Sequence, residues 1–176
     1  MPPQLVVISG VSGTGKTTTL VHLERRLAGE PFCLGELDQA GVPSGADDAW
    51  RKRRAKILLN EAYRNAAAGF STILSGTFLP SDFAESDIPI RFCVLEANAI
   101  SIRKRLMDRY SDPADAANLE RVVGLTPEHF ASAMETAQAG FLAQFEALAG
   151  TLHLDTSEQP SESVVSLVLS WIRTAA

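Results

Sequence analysis

A glycine-rich segment near the N-terminus, residues 10–17, carries the clearest chemical signal in the sequence. It matches the pattern G-x-x-x-x-G-K-[ST] at every fixed position. Glycines let such a backbone curl so that several N–H groups point inward and bind anionic oxygens. The positive end of a following helix adds to that attraction. The segment therefore predicts a site for the phosphates of a nucleotide.

The side chains of this phosphate loop have separate expected roles. Lys16 is expected to reach the β- and γ-phosphates of ATP, and the Thr17 hydroxyl is expected to bind Mg²⁺. Thr18 is expected to donate a hydrogen bond to an α-phosphate. ATP and Mg²⁺ are thus the expected cofactors. The predicted nucleotide-binding set in this segment is Gly10, Ser12, Gly13, Thr14, Gly15, Lys16, Thr17 and Thr18.

Two carboxylates, Glu36 and Asp38, stand at the end of the second predicted strand. Residues two apart project to the same side of a strand, so both side chains can face one site. The alternative is a pair of solvated loop acids without a chemical role.

Two arginines, Arg105 and Arg109, are four residues apart on a predicted helix and so share a face. Guanidinium groups suit the negative charge that develops in phosphoryl transfer. The alternative is a basic helix end that satisfies its own dipole.

A third cluster lies in the first turns of the second predicted helix, where Trp50 is followed by four cations, residues 51–54. Cations at a helix N-terminus oppose the helix dipole, so Asp47, Asp48 or a bound anion should compensate them. Arg51 or Arg54, with Trp50 as a stacking surface, would line a substrate pocket. The alternative is a solvated charge run with Trp50 packed on the sheet.

Strands and helices alternate along the chain to position these residues. Alternation of this kind predicts a parallel sheet with helices on both faces, in which ligands bind at the carboxyl ends of the strands. Residues 111–117 are polar, include a proline, and are predicted to form a mobile loop. Strands are predicted over residues 4–9, 32–37, 70–74, 90–96 and 151–155, and helices over residues 16–27, 47–68, 98–110, 126–149 and 161–173.

The length, composition and charge of the chain restrict its domain organisation, its partners and its location. A chain of 176 residues with net charge −5 predicts one acidic globular domain, 1–176, and argues against general nucleic-acid binding. No apolar run approaches the ~20 residues of a membrane helix, and no secretory signal precedes residue 5, so a cytoplasmic location is expected. Cys33 and Cys93 are expected to be reduced, buried strand residues.

With these motifs, the whole chain resembles the small P-loop kinases of the nucleoside monophosphate kinase, shikimate kinase and gluconate kinase group. The resemblance implies a three-layer α/β P-loop NTPase fold, a five-stranded parallel sheet of order 2-3-1-4-5, and a small lid at about residues 110–122. It also implies transfer of the γ-phosphoryl group of ATP to a hydroxyl or phosphate of a small molecule. A monomer or homodimer is expected, with no nucleic-acid or membrane partner.

The resemblance assigns roles to several of the residues above. Asp38 would orient the acceptor hydroxyl or act as its base, and Glu36 would hold the water shell of Mg²⁺ and border the acceptor. Arg105 and Arg109 would close from the lid onto the phosphates, and Ser157 lies in the turn that borders the adenine.

The third strand departs from many P-loop proteins, because Ser75 stands where an Asp near the magnesium is common. Gly76 would let a ligand approach the backbone there, and Thr77 would hydrogen-bond it; the alternative is a plain strand-to-loop turn.

The acceptor itself stays open after this reasoning. Nucleosides, sugars, aminoglycoside-like antibiotics and small hydroxy acids all fit. Two other classes also remain: an NTPase that couples hydrolysis to a partner, and a nucleotide-binding protein without catalysis.

Overall fold

Five strands form the centre of the computed structural model, which describes residues 2–174. They are β1 (Leu5–Ser9), β2 (Phe32–Glu36), β3 (Ser71–Gly76), β4 (Ile90–Glu96) and β5 (Leu152–Asp155). All pair in parallel, in the order β2-β3-β1-β4-β5. The predicted strand order is confirmed. Residues 1, 175 and 176 of the predicted domain lie outside the described residues.

The helices that connect these strands are α1 (Lys16–Arg26), α2 (Asp48–Ala67), α3 (Ala99–Arg109), α4 (Pro113–Val123), α5 (Pro127–Ala143) and α6 (Ser161–Arg173), with a 3₁₀ turn at Pro80–Phe83. Four of the helix starts are capped by side chains, because Asp47, Asn98, Asp112 and Thr126 accept hydrogen bonds from backbone N–H groups of the first turn. Within residues 2–174, no helix is long and apolar enough to cross a membrane.

The central strand β1 separates two apolar layers. Leu5 and Val7 point to the layer that α2, α3 and α5 cover, and Val6 and Ile8 point to the layer under α1 and α6. Every residue of β1 is buried, as expected for a strand covered on both faces. This gives the predicted three-layer arrangement.

The register of the sheet brings three strand ends together. Ser9, the last residue of β1, lies opposite Gly76 of β3 and Val94 of β4. Glu36, the last residue of β2, lies opposite Ser75. The segments that follow β1, β2 and β3 therefore leave the sheet at one edge.

The prediction of a loop at residues 111–117 is wrong. Asp112 caps α4 by accepting from the Ala114 N–H, and Pro113 occupies the first turn, where its missing N–H is not needed. The Leu119 side chain is buried on the inner face of α4, and Gly124 ends this helix with a φ of 78°. Burial of one apolar face stabilises a segment whose first half is polar.

Smaller differences concern element ends and one cysteine. The helix predicted to reach residue 149 ends at Ala143, and the strand predicted to end at residue 74 continues to Gly76. Cys93 is buried as expected, and burial raises the pKa of its thiol to about 12. Cys33 is only half-buried.

Candidate functional site: a phosphate loop between two cavities

The phosphate loop joins β1 directly to α1 and has a backbone that requires glycine at fixed points. Gly13 and Gly15 have φ of 90° and 91°, in the left-handed region that other residues rarely adopt. A Cβ at Gly10 would lie 2.5 Å from the carbonyl oxygen of Leu95. The backbone conformation of the loop therefore agrees with its sequence motif.

Hydrogen bonds within this loop and from β3 support its shape. The Thr14 hydroxyl and the Lys16 ammonium both donate to the Val11 carbonyl at 2.9 Å. From the end of β3, the Thr77 hydroxyl donates to the Gly10 carbonyl at 3.2 Å. These bonds fix the curl of the loop backbone.

Lys16 has an unusual electrostatic environment. Its pKa is lowered to about 8, first because burial removes water from the ammonium, and second because the Arg109 guanidinium lies near. Asp38 and Glu36 act in the opposite direction and raise it. Two cations and two carboxylates, contributed by α1, the end of β2 with the residues after it, and the end of α3, therefore act on one another here.

A cavity of about 910 Å³ opens beside the phosphate loop. It is bounded by the ends of β2 and β3, the start of α2, and helices α3, α4 and α5. Most of the predicted site residues meet around it. Those that line it are Ser12, Gly13, Gly15, Lys16, Thr17, Glu36, Asp38, Trp50, Arg51, Gly76, Thr77 and Arg109.

Oxygen groups that suit Mg²⁺ lie at this cavity. Thr17, Glu36 and Asp38 line it, and the Ser75 hydroxyl borders it opposite Glu36 in the sheet register. Within residues 2–174 there is no cluster of three His, Cys, Asp or Glu side chains able to hold a metal ion. The residues fit Mg²⁺, which keeps several waters and binds through one or two carboxylates plus substrate phosphates.

A second cavity of about 360 Å³ lies on the other side of the phosphate loop. Gly13, Gly15 and Arg109 line both cavities, so the loop and Arg109 stand between them. Thr14 and Thr18, which do not line the first cavity, line this one. The two cavities therefore adjoin at the phosphate loop and Arg109.

The two predicted lid arginines have different environments. Arg105 donates to the Gly13 carbonyl at 3.1 Å, to the Thr156 hydroxyl at 2.9 Å and to the Thr156 carbonyl. Its guanidinium is thus held by protein atoms, and Arg105 lines the second cavity. Arg109 is exposed, and its side chain makes no hydrogen bond or ion pair within residues 2–174.

The turn after β5 also differs in detail from expectation. Ser157 lines neither cavity; its hydroxyl pairs with Asp155 and accepts from the Asn98 N–H at 2.7 Å. Its neighbour Thr156 and nearby Gln159 line the second cavity instead. Reasoning from sequence identified the turn and chose the wrong residue in it, since only the backbone geometry decides which side chain faces inward.

On the far side of the first cavity, Arg51 and Arg54 are both held by the protein. Arg51 pairs with Asp48 and, through Nε at 3.0 Å, with Asp82, whose side chain has no exposed surface. Arg54 does not line the cavity, and its Nε donates to the Leu37 carbonyl at 3.2 Å. The compensating charge expected for this cluster thus includes Asp82, which sequence reasoning missed because it lies 31 residues from Arg51.

Gly76 lines the first cavity and is also required for close packing. A Cβ there would lie 2.5 Å from the Leu37 Cβ and 2.9 Å from a ring carbon of Phe78. Leu37 stands between Glu36 and Asp38, so this close fit sets where β2 ends and where both carboxylates project.

An apolar wall faces the carboxylates across the first cavity, and sequence reasoning gave no sign of it. It comes from α4, α5 and the end of α3, whose generic apolar residues carry no motif. Its members are Tyr110, Leu119, Val122, Val123, Phe130 and Met134.

The loop after β2 reaches this wall. The Ser44 hydroxyl donates to the Arg121 carbonyl at 2.9 Å, and the Gly45 N–H donates to the Val122 carbonyl at 3.2 Å. These bonds join the loop to α4, which lies within the predicted lid region. The loop and α4 therefore meet along one side of the cavity, which is otherwise open to solvent.

Comparison with known proteins bears on the fold. No protein-family model matches the chain, and no curated protein matches it. Solved structures do. A sugar kinase from Janibacter sp. is 24% identical with a TM-score of 0.66, covering 99% of this chain and 96% of that one.

Two further solved structures are similar over nearly their whole length. A gluconokinase from Sinorhizobium meliloti is 18% identical with a TM-score of 0.64, covering 98% of this chain and 93% of that one. A shikimate kinase from Acinetobacter baumannii, solved with shikimate, is 16% identical with a TM-score of 0.61, covering 98% and 94%. This chain has the α/β fold of the small P-loop kinases, which confirms the resemblance at the level of fold.

Proposed function

We propose that the protein is an ATP-dependent kinase that transfers the γ-phosphoryl group to a small molecule. The observation that carries the proposal is the meeting of Lys16, Arg109 and Asp38 at one cavity beside the phosphate loop. Solved structures of similar fold include small-molecule kinases.

In the proposed reaction, the phosphate loop and Lys16 hold the phosphates of ATP, and Arg109 neutralises charge on the transferred group. Asp38 accepts a hydrogen bond from the acceptor hydroxyl and aligns its oxygen with the γ-phosphorus. As the new O–P bond forms, the bond from the γ-phosphorus to its bridging oxygen breaks. The hydroxyl proton passes to Asp38, and ADP leaves.

Thr17, with Glu36 and Asp38 nearby, would hold Mg²⁺. The ion would supply positive charge to the β- and γ-phosphates. Positioning and charge neutralisation account for most of the rate of phosphoryl transfer, so the proposal needs no strong base. Ser75 at the end of β3 leaves the carboxylates of β2 as the acidic contribution on this side of the cavity.

The test is ADP production from Mg·ATP with a panel of hydroxyl-bearing small molecules. Lys16→Ala should abolish turnover, while Lys56→Ala, an exposed change on α2, should not. Asp38→Asn should retain ATP binding and lose transfer by at least ~100-fold, the range of one positioned catalytic group. Steady hydrolysis that no acceptor stimulates would instead identify an NTPase, and tight ATP binding without turnover a binding protein.

A further inference from the structure

The first cavity has a side that faces away from the phosphate loop, and its charges restrict what it can bind. This acceptor side is formed by Asp38, the loop after β2, the start of α2, and the apolar wall defined above. Its occupant would be the phosphoryl acceptor if the protein is the proposed kinase.

Carboxylates predominate on the acceptor side. Asp38, Asp47 and Asp48 all line the cavity. One carboxylate oxygen of Asp47 accepts a hydrogen bond from the Trp50 N–H at 2.8 Å, at the start of α2, and Asp47 remains exposed. Of these three, only Asp48 forms an ion pair within the described residues.

The cations on the same side are already engaged. Arg51 is held between Asp48 and the fully buried Asp82, so its charge is compensated by the protein itself. Arg121 donates to the Asn118 amide oxygen at 2.7 Å and is the remaining guanidinium of this side that lines the cavity. Lys16 and Arg109 stand at the phosphate loop, where the phosphates of ATP would take up their charge.

A negatively charged acceptor would meet an unfavourable balance here. Its carboxylate or phosphate would face more carboxylates than free cations, and like charges at a binding surface select strongly against a ligand. The opposite wall offers apolar contact from Leu119, Val122, Phe130 and Met134, with Trp50 beside the carboxylates. Such a wall suits the apolar face of a ring.

We infer that the acceptor is an uncharged or positively charged hydroxyl compound with an apolar face, and that nucleotides, sugar acids and hydroxy acids are not substrates. The reactive hydroxyl would lie at Asp38. Any ammonium on the acceptor would lie near Asp47 and Asp48, and its apolar face would pack on the wall.

The experiment uses an extract of water-soluble small molecules from the organism that encodes the chain. Ion exchange divides the extract into anionic, neutral and cationic fractions. Each fraction is incubated with the full chain, Mg²⁺ and ATP labelled in the γ-phosphoryl group, with Lys16→Ala as the blank. Label is counted in products other than ATP and inorganic phosphate.

Transfer to the neutral or cationic fraction, at least ~10-fold above transfer to the anionic fraction, is the expected result. Transfer mainly to the anionic fraction would overturn the inference and leave the kinase proposal standing. No labelled product from any fraction would reject the kinase proposal, and the inference with it.

A charge variant tests whether the carboxylates of the acceptor side select against anionic acceptors. Asp48→Asn should raise the ratio of anionic to neutral transfer by about twofold to fivefold, the range for an exposed charge. Glu61→Gln makes the same change of net charge on the outer part of α2, away from the cavity, and should leave the ratio unchanged. Equal ratios in both variants would show that these carboxylates do not select the acceptor.

Discussion

Arg105 donates a hydrogen bond to the hydroxyl of Thr156, and this pair ties α3 and the end of β5 to the phosphate loop. The same guanidinium donates to the Gly13 carbonyl at 3.1 Å, and the Thr156 hydroxyl lies 3.0 Å from the Thr14 carbonyl. Each side chain thus bonds the loop backbone as well as its partner. Arg105 acts through the loop, as a positioning residue.

Loss of the Arg105 hydrogen bonds should lower both the stability of the fold and the affinity for ATP. Arg105→Ala removes charged hydrogen bonds to three buried or half-buried acceptors and should lower the free energy of unfolding by about 2–3 kcal/mol. ATP affinity should fall about tenfold, since the loop would lose its preformed shape. Urea unfolding and calorimetric titration with a non-hydrolysable ATP analogue measure the two effects.

A neighbour on the same helix supplies the control for this prediction. Lys104 makes an exposed ion pair with Asp108, so Lys104→Ala should change stability by less than about 0.5 kcal/mol. If the Arg105 variant matched it in both measurements, Arg105 would have no positioning role.

The lowered pKa of Lys16 predicts a pH dependence of nucleotide binding. The ammonium is protonated below its pKa of about 8, and the phosphates attract only that form, so ATP affinity should fall as pH rises from 7 to 9. Binding at pH 8 to 9 should also take up a proton, which calorimetry in two buffers of different ionisation enthalpy detects. An affinity that is constant over this range would contradict the prediction.

Arg109 should influence the pH at which ATP affinity is half lost, which is the midpoint of the affinity profile. Its positive charge contributes to the lowering, so Arg109→Ala should raise the pKa of Lys16 and move the midpoint of the affinity profile to higher pH. Maximal transfer should fall as well, because the variant loses a cation at the phosphates. Arg53→Ala, an exposed change on α2, should leave the profile where it is in the wild type.

Gly76 and Gly140 should respond in opposite directions to a methyl group. At Gly76 the new Cβ would lie 2.5 Å from the Leu37 Cβ, so Gly76→Ala should destabilise by about 1–3 kcal/mol. It should also reduce transfer, because a shift of Leu37 moves both neighbouring carboxylates. At Gly140, inside α5, a Cβ meets nothing within 4 Å, so Ala should stabilise by about 0.5–1 kcal/mol. Thermal unfolding that moved both variants the same way would refute this account.

The Asp82–Arg51 pair should be a strong contributor to stability near the acceptor side. Asp82 has a fully buried side chain that accepts from the Arg51 Nε at 3.0 Å and from the Leu79 N–H at 2.8 Å. Asp82→Ala leaves a half-buried guanidinium with only the exposed Asp48, and should cost about 3 kcal/mol in denaturant unfolding. Asp87→Ala, at an exposed site close by, should cost less than about 0.5 kcal/mol. Equal losses would show that the buried pair contributes little.

Chemistry that depends on near neighbours along the chain was predictable from sequence. The phosphate loop at residues 10–17 is recognisable from its own glycines and the helix after it. The caps at Asp47, Asn98 and Thr126 likewise act within one helical turn. The alternation of strands and helices indicated the parallel sheet, and the family resemblance supplied its strand order.

The tertiary structure alone decided which distant groups meet. Residues 111–117 are polar, which predicts a loop. The helix that forms there is stabilised by Leu119, whose side chain is buried only when α4 packs on α5. The family resemblance assigned Arg105 to the phosphates, and its four-residue spacing from Arg109 gives no sign of its hydrogen bonds to Thr156, 51 residues away. Helical spacing gives a shared face, and only packing determines what that face meets.

The amino-acid sequence by itself therefore determined that the protein has a phosphate loop in an α/β fold, since local backbone preferences and a short motif suffice for that. The charge balance of the acceptor side was decided by topology. Sheet register and helix packing bring Asp38, Asp48 and Arg51 to one cavity and set Asp82 behind them. Electrostatic selection depends on distances in space, and those exist only after the chain has folded.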